Sequence, residues 1–139
     1  MLINGENLVS GRLASVVAKK VIKGELVTIV NAEKVIIVGT TSSILPKYKQ
    51  RVDARVLSNP HYGPKYDRIP SKMLKKTIKG MLPAKSRTNE KLLKQIKIYN
   101  LVPKDIDVTK AETIEKMKYG QKGDFMYLGD VAKSLGGKW

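Results

Sequence analysis

The chain has 139 residues, enough for one ordinary domain, and its 42% hydrophobic and 28% charged residues are typical of a globular protein. Its 27 Lys and Arg against 12 Asp and Glu give a net charge of +15, which favours a polyanionic partner: nucleic acid first, an anionic membrane surface second. The absence of cysteine excludes disulfides and thiolate metal sites.

The first forty residues indicate a helix followed by two buried strands. Ser10 is a suitable N-cap for a helix over about 11–23, where leucine and valine recur at helical spacing. Residues 26–30 and 35–38 are apolar, β-branched runs without alternation. Such runs are typical of strands buried on both faces, as in a parallel sheet covered by helices. This part of the chain therefore predicts an α/β domain.

A helix predicted over 42–55 carries basic side chains, among them Lys47 and Arg51. Residues 58–70 include three prolines and a glycine, which indicates a long loop. That loop interleaves aromatic and basic residues: His61, Tyr62, Lys65 and Tyr66. Two interpretations stay equally open. The aromatic side chains stack on splayed RNA bases while the cations hold phosphates, or the tyrosines pack on the domain itself.

The helix predicted over 72–82 has two distinct faces. Its apolar face consists of Leu74, Ile78, Met81 and Leu82. Its cationic face, at positions i, i+3, i+4 and i+7, consists of Lys72, Lys75, Lys76 and Lys79. No acidic residue lies between Arg68 and Glu90, so the ion pairs that usually accompany a solvated helix face are missing. We therefore favour a binding face over an ordinary solvated one.

The excess positive charge is concentrated in one segment. Residues 65–104 hold twelve basic and two acidic side chains, a net of +10 out of the total of +15. Residues 105–139 hold six of each sign and are neutral. A chain that was merely basic throughout would not show this contrast. The sequence therefore predicts a basic face centred on residues 65–104.

The C-terminal part completes a predicted three-layer α/β domain. Helices are predicted over 88–97 and 128–135, and a strand begins near Ile96. Residues 103–124 are polar and irregular. Because no internal repeat or low-complexity linker occurs, residues 1–139 are predicted to form a single domain.

The sequence lacks the usual motifs of catalysis and cofactor binding. His61 is the only histidine, so no second histidine can join it in a metal site or proton relay. The turn at 39–43 suits either a phosphate-binding loop or a plain helix start. We favour the helix start, because neither glycine-rich nucleotide-binding motif occurs. The sequence therefore predicts no enzyme, no cofactor, no metal and no small-molecule substrate.

Several short motifs, in register along nearly the whole chain, resemble one family. Residues 11–15 (Gly-Arg-Leu-Ala-Ser), 30–35 (Val-Asn-Ala-Glu-Lys-Val), 79–83 (Lys-Gly-Met-Leu-Pro) and 96–99 (Ile-Lys-Ile-Tyr) are similar to motifs of the ribosomal protein L-thirteen family. The loop before the lysine-rich helix and the terminal Lys138-Trp139 resemble its archaeal branch. Thr88-Asn89 and Leu101 stand where that family usually has glycines, so the turns there are expected to differ.

This resemblance implies a three-layer α/β/α fold around a mostly parallel four-stranded sheet. It also implies binding to 23S-type large-subunit ribosomal RNA during subunit assembly, neighbouring large-subunit proteins as partners, and no catalysis. By the motif matches, the resemblance also implies that Arg12, Lys79, Lys85 and Arg87 contact RNA. Charge, spacing and aromatic content add Lys47, Arg51, His61, Tyr62, Lys65, Arg68, Lys72, Lys75, Lys76 and Lys91.

Two rival hypotheses come from other classes of protein. An enzyme on a nucleotide-binding scaffold would use the Gly39 turn and lose nucleotide binding in Gly39→Val. A basic protein of the membrane surface would need bulky aromatics on its cationic helix. The single Phe and single Trp, Phe125 and Trp139, lie elsewhere. No apolar run approaches the roughly 20 residues of a membrane span, and residues 1–20 lack a signal-peptide pattern, so we expect the cytoplasm.

Overall fold

The computed structural model of the chain describes residues 1–59, 61–83, 86–112, 115–120 and 123–139. Its strands are β1 (Leu2–Asn4), β2 (Val27–Val30), β3 (Ile36–Val38), β4 (Ile96–Ile98) and β5 (Phe125–Tyr127). Its helices are α1 (Ser10–Ile22), α2 (Thr41–Asp53), α3 (Pro70–Lys79), α4 (Ser86–Lys94) and α5 (Leu128–Ser134). Single 3₁₀ turns lie at Ala32–Lys34, Val108–Lys110 and Glu115–Met117.

Helix α1 follows its apolar spacing. Leu13, Val17 and Val21 are fully buried, because positions four apart lie on one face of a helix. The predicted N-cap is wrong: the helix begins at Ser10 itself, and the preceding Val9 is extended and makes no side-chain cap. Gly24 ends the helix with φ +89°, a conformation that glycine adopts without steric cost.

The strands form two small sheets. A parallel sheet has the order β1-β2-β4, with Ile3 opposite Ile29 and Ile29 opposite Ile98. Strand β3 instead pairs antiparallel with β5. The prediction that β3 is buried on both faces in the parallel sheet is therefore wrong, and its Val38 is 50% exposed. The described strands thus do not confirm a four-stranded parallel sheet, and the three-layer arrangement stays a prediction.

The buried apolar side chains form one hydrophobic core, with members from Ile3 near the N-terminus to Ala132 in α5. Helix α3 contributes Met73, Leu74 and Ile78, which are at most 2% exposed. It packs against α1, β4 and α5. The result is a mixed α/β single domain.

Helix α3 is shorter than the sequence suggested. It begins with Pro70, whose fixed φ and missing N–H suit the first turn, and it ends at Gly80. Met81 therefore lies beyond the helix and is 43% exposed, which corrects its placement on the apolar face. The free N–H of Ser71 donates to Asn100 Oδ1 at 2.9 Å, so a residue from beyond β4 satisfies the start of α3.

The C-terminal segment packs over the start of the basic region. Trp139 Nε1 donates to Glu33 Oε2 at 3.3 Å. Gly137 donates its N–H to the Ala132 carbonyl at 2.9 Å and lies directly against the Arg68 carbonyl. The predicted loop over 58–70 is confirmed in its described residues up to Ile69, whereas Pro70 already belongs to α3. The C-terminal segment packs against the end of this loop.

Candidate nucleic-acid interface

The four lysines of α3 lie on the side of the helix opposite its buried residues. Spacings of three, one and three residues keep them within an arc of about 100°. Lys72, Lys76 and Lys79 are exposed, and Lys75 is half-buried. The predicted cationic face of this helix is therefore confirmed as a surface feature, while its contact with RNA stays a prediction.

Three of these lysines make weak contacts within the protein. Lys72 Nζ lies 3.5 Å from Asp67 Oδ1, and Lys75 Nζ donates to the Ile96 carbonyl at 3.4 Å. Lys76 Nζ lies 4.0 Å from the centre of the Tyr66 ring and donates to the Lys65 carbonyl at 3.4 Å. Asp67 is an ion-pair partner that helical spacing could not reveal, because it belongs to the preceding loop.

A groove joins the loop to the helix. Its volume is about 390 Å³, and it is lined by Lys65, Asp67, Lys72, Lys75, Lys76, Lys79 and Leu93. We call its five lysines the lysine-rich face. The single carboxylate in this lining leaves a strong positive excess. Such a groove can hold closely spaced phosphates.

A second cluster lies beside this face, between α2 and α3. Tyr48 and Tyr66 meet edge to face, with ring centres 6.1 Å apart. The Arg51 guanidinium lies 5.4 Å from the Tyr48 ring and 6.0 Å from the Tyr66 ring. Burial is the main cause that raises the pKa of Tyr48, and Tyr66 adds to the rise while Arg51 opposes it. Tyr48 was not among the predicted residues, although it precedes Arg51 by one helical turn.

The two open interpretations of the aromatic loop each describe one of its tyrosines. Tyr66 is half-buried: it packs against the core and also lines a pocket beside α3. Tyr62 is 71% exposed and available for stacking. His61 is also exposed, and its backbone N–H donates to Asn59 Oδ1 at 3.0 Å. In the part of the chain that the structure describes, no group of three or more His, Cys, Asp or Glu could hold a metal ion.

The remaining predicted residues lie outside both clusters. Arg12 is exposed and donates from Nη1 to the Lys118 carbonyl at 3.1 Å. Exposed side chains of Lys47 and Lys91 lie on α2 and α4, and Arg68 is exposed at the end of the loop. Lys85 and the side chain of Arg87 lie outside the described residues. The structure thus brings together Arg51, Lys65, Lys72, Lys75, Lys76 and Lys79.

Positive charge on this surface is largely uncompensated. Across the described ranges, ion pairs join Lys20 to Glu25, Lys34 to Glu6 and Lys72 to Asp67. The Glu6 carboxylate, which accepts a hydrogen bond from Lys34, raises the pKa of that lysine. Of the predicted contact residues with described side chains, Lys72 alone has such a partner. It is exposed, so the pair contributes at most about 1 kcal/mol to stability.

The described structure adds no feature that supports a nucleotide-binding enzyme or a membrane-surface protein. The turn at Gly39 leads into α2 as an ordinary helix start, since Ser43 and Ile44 both donate to the Thr40 carbonyl at 3.0 Å. Among the helices in the described ranges, none has the length and apolarity to cross a bilayer. The lysine-rich face is therefore the feature that most needs a functional explanation.

Comparison with known proteins points to one family. The family model described as ribosomal protein L13 matches residues 1–104. The large ribosomal subunit protein uL13 of Methanosphaera stadtmanae is 41% identical, over 99% of this chain and 98% of its own. The proteins of that name from Methanococcus maripaludis and Methanocaldococcus jannaschii are 39% and 36% identical over at least 98% of each chain.

Proposed function

This chain belongs to the ribosomal protein L13 family, and on that premise we propose that it binds large-subunit ribosomal RNA through its lysine-rich face. In this role it is a structural constituent of the large ribosomal subunit in the cytoplasm and supports assembly of that subunit. Its partners are ribosomal RNA and neighbouring large-subunit proteins, and it needs no membrane and no small-molecule substrate. The whole chain, residues 1–139, acts as one RNA-binding domain, and catalysis has no place in this role.

The observation that carries the proposal is the uncompensated positive charge of the lysine-rich face. Five lysines share one groove with a single carboxylate, Asp67. Charges this close repel each other in the free protein, and a polyanion removes the repulsion. RNA does so with a further gain, because each neutralised phosphate releases counterions.

The other candidate residues extend the proposed contact around this face. Arg51 lies beside Tyr66 on one side, and Tyr62 offers an exposed ring for stacking on a base. We propose that the remaining predicted residues also contact RNA: Arg12, Lys47, His61, Arg68, Lys85, Arg87 and Lys91. Those residues whose side chains lie apart from the groove are expected to contribute one phosphate contact each.

Two triple variants of equal charge test the proposal. The first exchanges Lys65, Lys72 and Lys79 for Gln, and the control exchanges Lys19, Lys23 and Lys133 for Gln. All six side chains are exposed, so both variants should melt close to the parent. Binding to transcribed large-subunit RNA is measured across a range of salt concentrations.

We expect the first variant to bind at least about tenfold more weakly than the parent and to lose roughly two to three from the slope of log affinity against log salt. The control should lose much less of both. Equal losses in the two variants would show that only net charge matters, and the assignment of the lysine-rich face would be wrong.

A further inference from the structure

An open pocket adjoins the lysine-rich face on the side of α2. Its volume is about 500 Å³, which lies in the range of roughly 300–1,000 Å³ typical of small-ligand sites. It is lined by Arg51, Ala54, Pro64, Tyr66, Lys76, Thr77 and Gly80. The walls come from the end of α2, the aromatic loop and the last turn of α3.

The lining combines an aromatic ring, small side chains and two cations. Lys76 Nζ lies 4.0 Å from the centre of the Tyr66 ring, and the Arg51 guanidinium lies 6.0 Å from it. No acidic residue is among the described lining residues, and neither cation has a carboxylate partner in the described ranges. Ala54, Thr77 and Gly80 are small and Lys76 is exposed, so a flat group fits beside the ring once the lysine side chain moves aside.

These features match the chemistry of a nucleotide. A base is flat and aromatic and gains from contact with a tyrosine ring, and its phosphate gains from two nearby cations. In an RNA duplex the base faces are stacked inside, and a protein surface meets phosphates, 2′-hydroxyls and base edges. The pocket therefore suits a base that is free of pairing.

We propose that this pocket binds one unpaired nucleotide of RNA, with its base against Tyr66 and its phosphate between Arg51 and Lys76. Lys76 also lines the groove of the lysine-rich face, so the two sites are continuous. A strand leaving the pocket would pass directly onto the lysines of α3. The inference rests on the proposed RNA-binding function and names the kind of RNA that this side of the surface recognises.

Two variants that keep every charge test the pocket. Tyr66→Leu removes the ring, and Ala54→Leu fills the space from an exposed position where added bulk should not disturb folding. Thr109→Leu, which adds the same exposed side chain in the neutral C-terminal segment, is the control. The probes are a single-stranded RNA of twelve adenosines and a blunt RNA duplex of twelve base pairs, and melting curves verify that each variant is folded.

We expect both pocket variants to bind the single strand about fivefold or more weakly, since a stacked base contributes that much or more to affinity. Binding of the duplex should change by less than about twofold, because its base faces are stacked inside and cannot contact Tyr66. The control should match the parent on both probes.

The outcomes separate this inference from the proposed function. If the parent binds both probes while Ala54→Leu weakens neither, or weakens both equally, the pocket does not hold an unpaired base. If polyglutamate competes with the single strand as well as RNA does at equal charge, the pocket is a general anion site and the inference fails. If the parent binds neither probe nor large-subunit RNA, the proposed function itself is wrong.

Discussion

Replacing Ile78 with alanine should destabilise the domain without touching the lysine-rich face. The Ile78 side chain is completely buried, on the side of α3 opposite the lysines. The change removes three carbon atoms, and at about 0.8 kcal/mol for each buried methylene this costs roughly 2.4 kcal/mol in transfer free energy. The cavity left behind raises the expected loss to about 2–5 kcal/mol. For a domain of this size the melting temperature should fall by roughly 6–15 °C.

Met81→Ala is the matched control, since Met81 belongs to the same predicted apolar face but is 43% exposed. Its expected cost is within about 0.5 kcal/mol. Thermal melting followed by circular dichroism gives the stabilities, and RNA affinity is measured well below both melting temperatures. Ile78→Ala should then bind RNA as the parent does. The reasoning would be refuted if the two variants melted alike, or if folded Ile78→Ala lost tenfold in RNA affinity.

Two further substitutions test the tail and the single histidine. A Cβ at Gly137 would overlap the Arg68 carbonyl oxygen and lie 2.9 Å from that of Ala132, so Gly137→Ala should destabilise the fold by about 1–3 kcal/mol in a melting experiment. Gly120→Ala, where no described residue lies within 4 Å of the added Cβ, should not. His61→Ala should leave melting unchanged and weaken RNA binding by less than about threefold, because His61 is exposed. Loss of turnover of any substrate in that variant would contradict a structural, non-catalytic role.

Local patterns predicted the helices, because helix formation depends on residues three and four apart. Helix α1 was visible in the spacing of its buried valines, and α3 in its two faces. The end of α3 was misjudged because Gly80 ends the helix before Pro83 is reached. Its start was predicted within two residues, but the partner of the Ser71 N–H was not, because Asn100 lies 29 residues along the chain. No local pattern contains such a contact.

The pairing of β3 could not be predicted for a similar reason. An apolar run such as residues 35–38 indicates a strand, but its direction relative to a neighbour depends on which strand pairs with it. That neighbour is β5, a three-residue strand whose sequence, Phe-Met-Tyr, is too short to show a period. The antiparallel pair was therefore invisible until the chain was folded.

The sequence predicted the charge of the candidate site better than the contacts between its side chains. Charge and helical spacing placed the α3 lysines together, because both are properties of the helix alone. The contacts of Tyr66 with Tyr48, Arg51 and Lys76 depend on the path of the aromatic loop, which sequence spacing does not determine. The pocket beside α2 arises from the same path. Sequence thus indicated the sign of the surface but not its shape.

The weak contacts within the lysine-rich face bear on how it would bind. Lysine side chains lose much rotational freedom when a phosphate fixes them, and this loss opposes binding. Lys72, Lys75 and Lys76 lie near Asp67, the Ile96 carbonyl and Tyr66 but make only weak contacts with them. The two lysine hydrogen bonds among these contacts are 3.4 Å long, close to the upper limit for a hydrogen bond, so an RNA phosphate can replace them at little cost. Contacts this weak do little to fix the lysine side chains in advance, so in the proposed complex the counterions released by each phosphate must offset the entropy lost on binding.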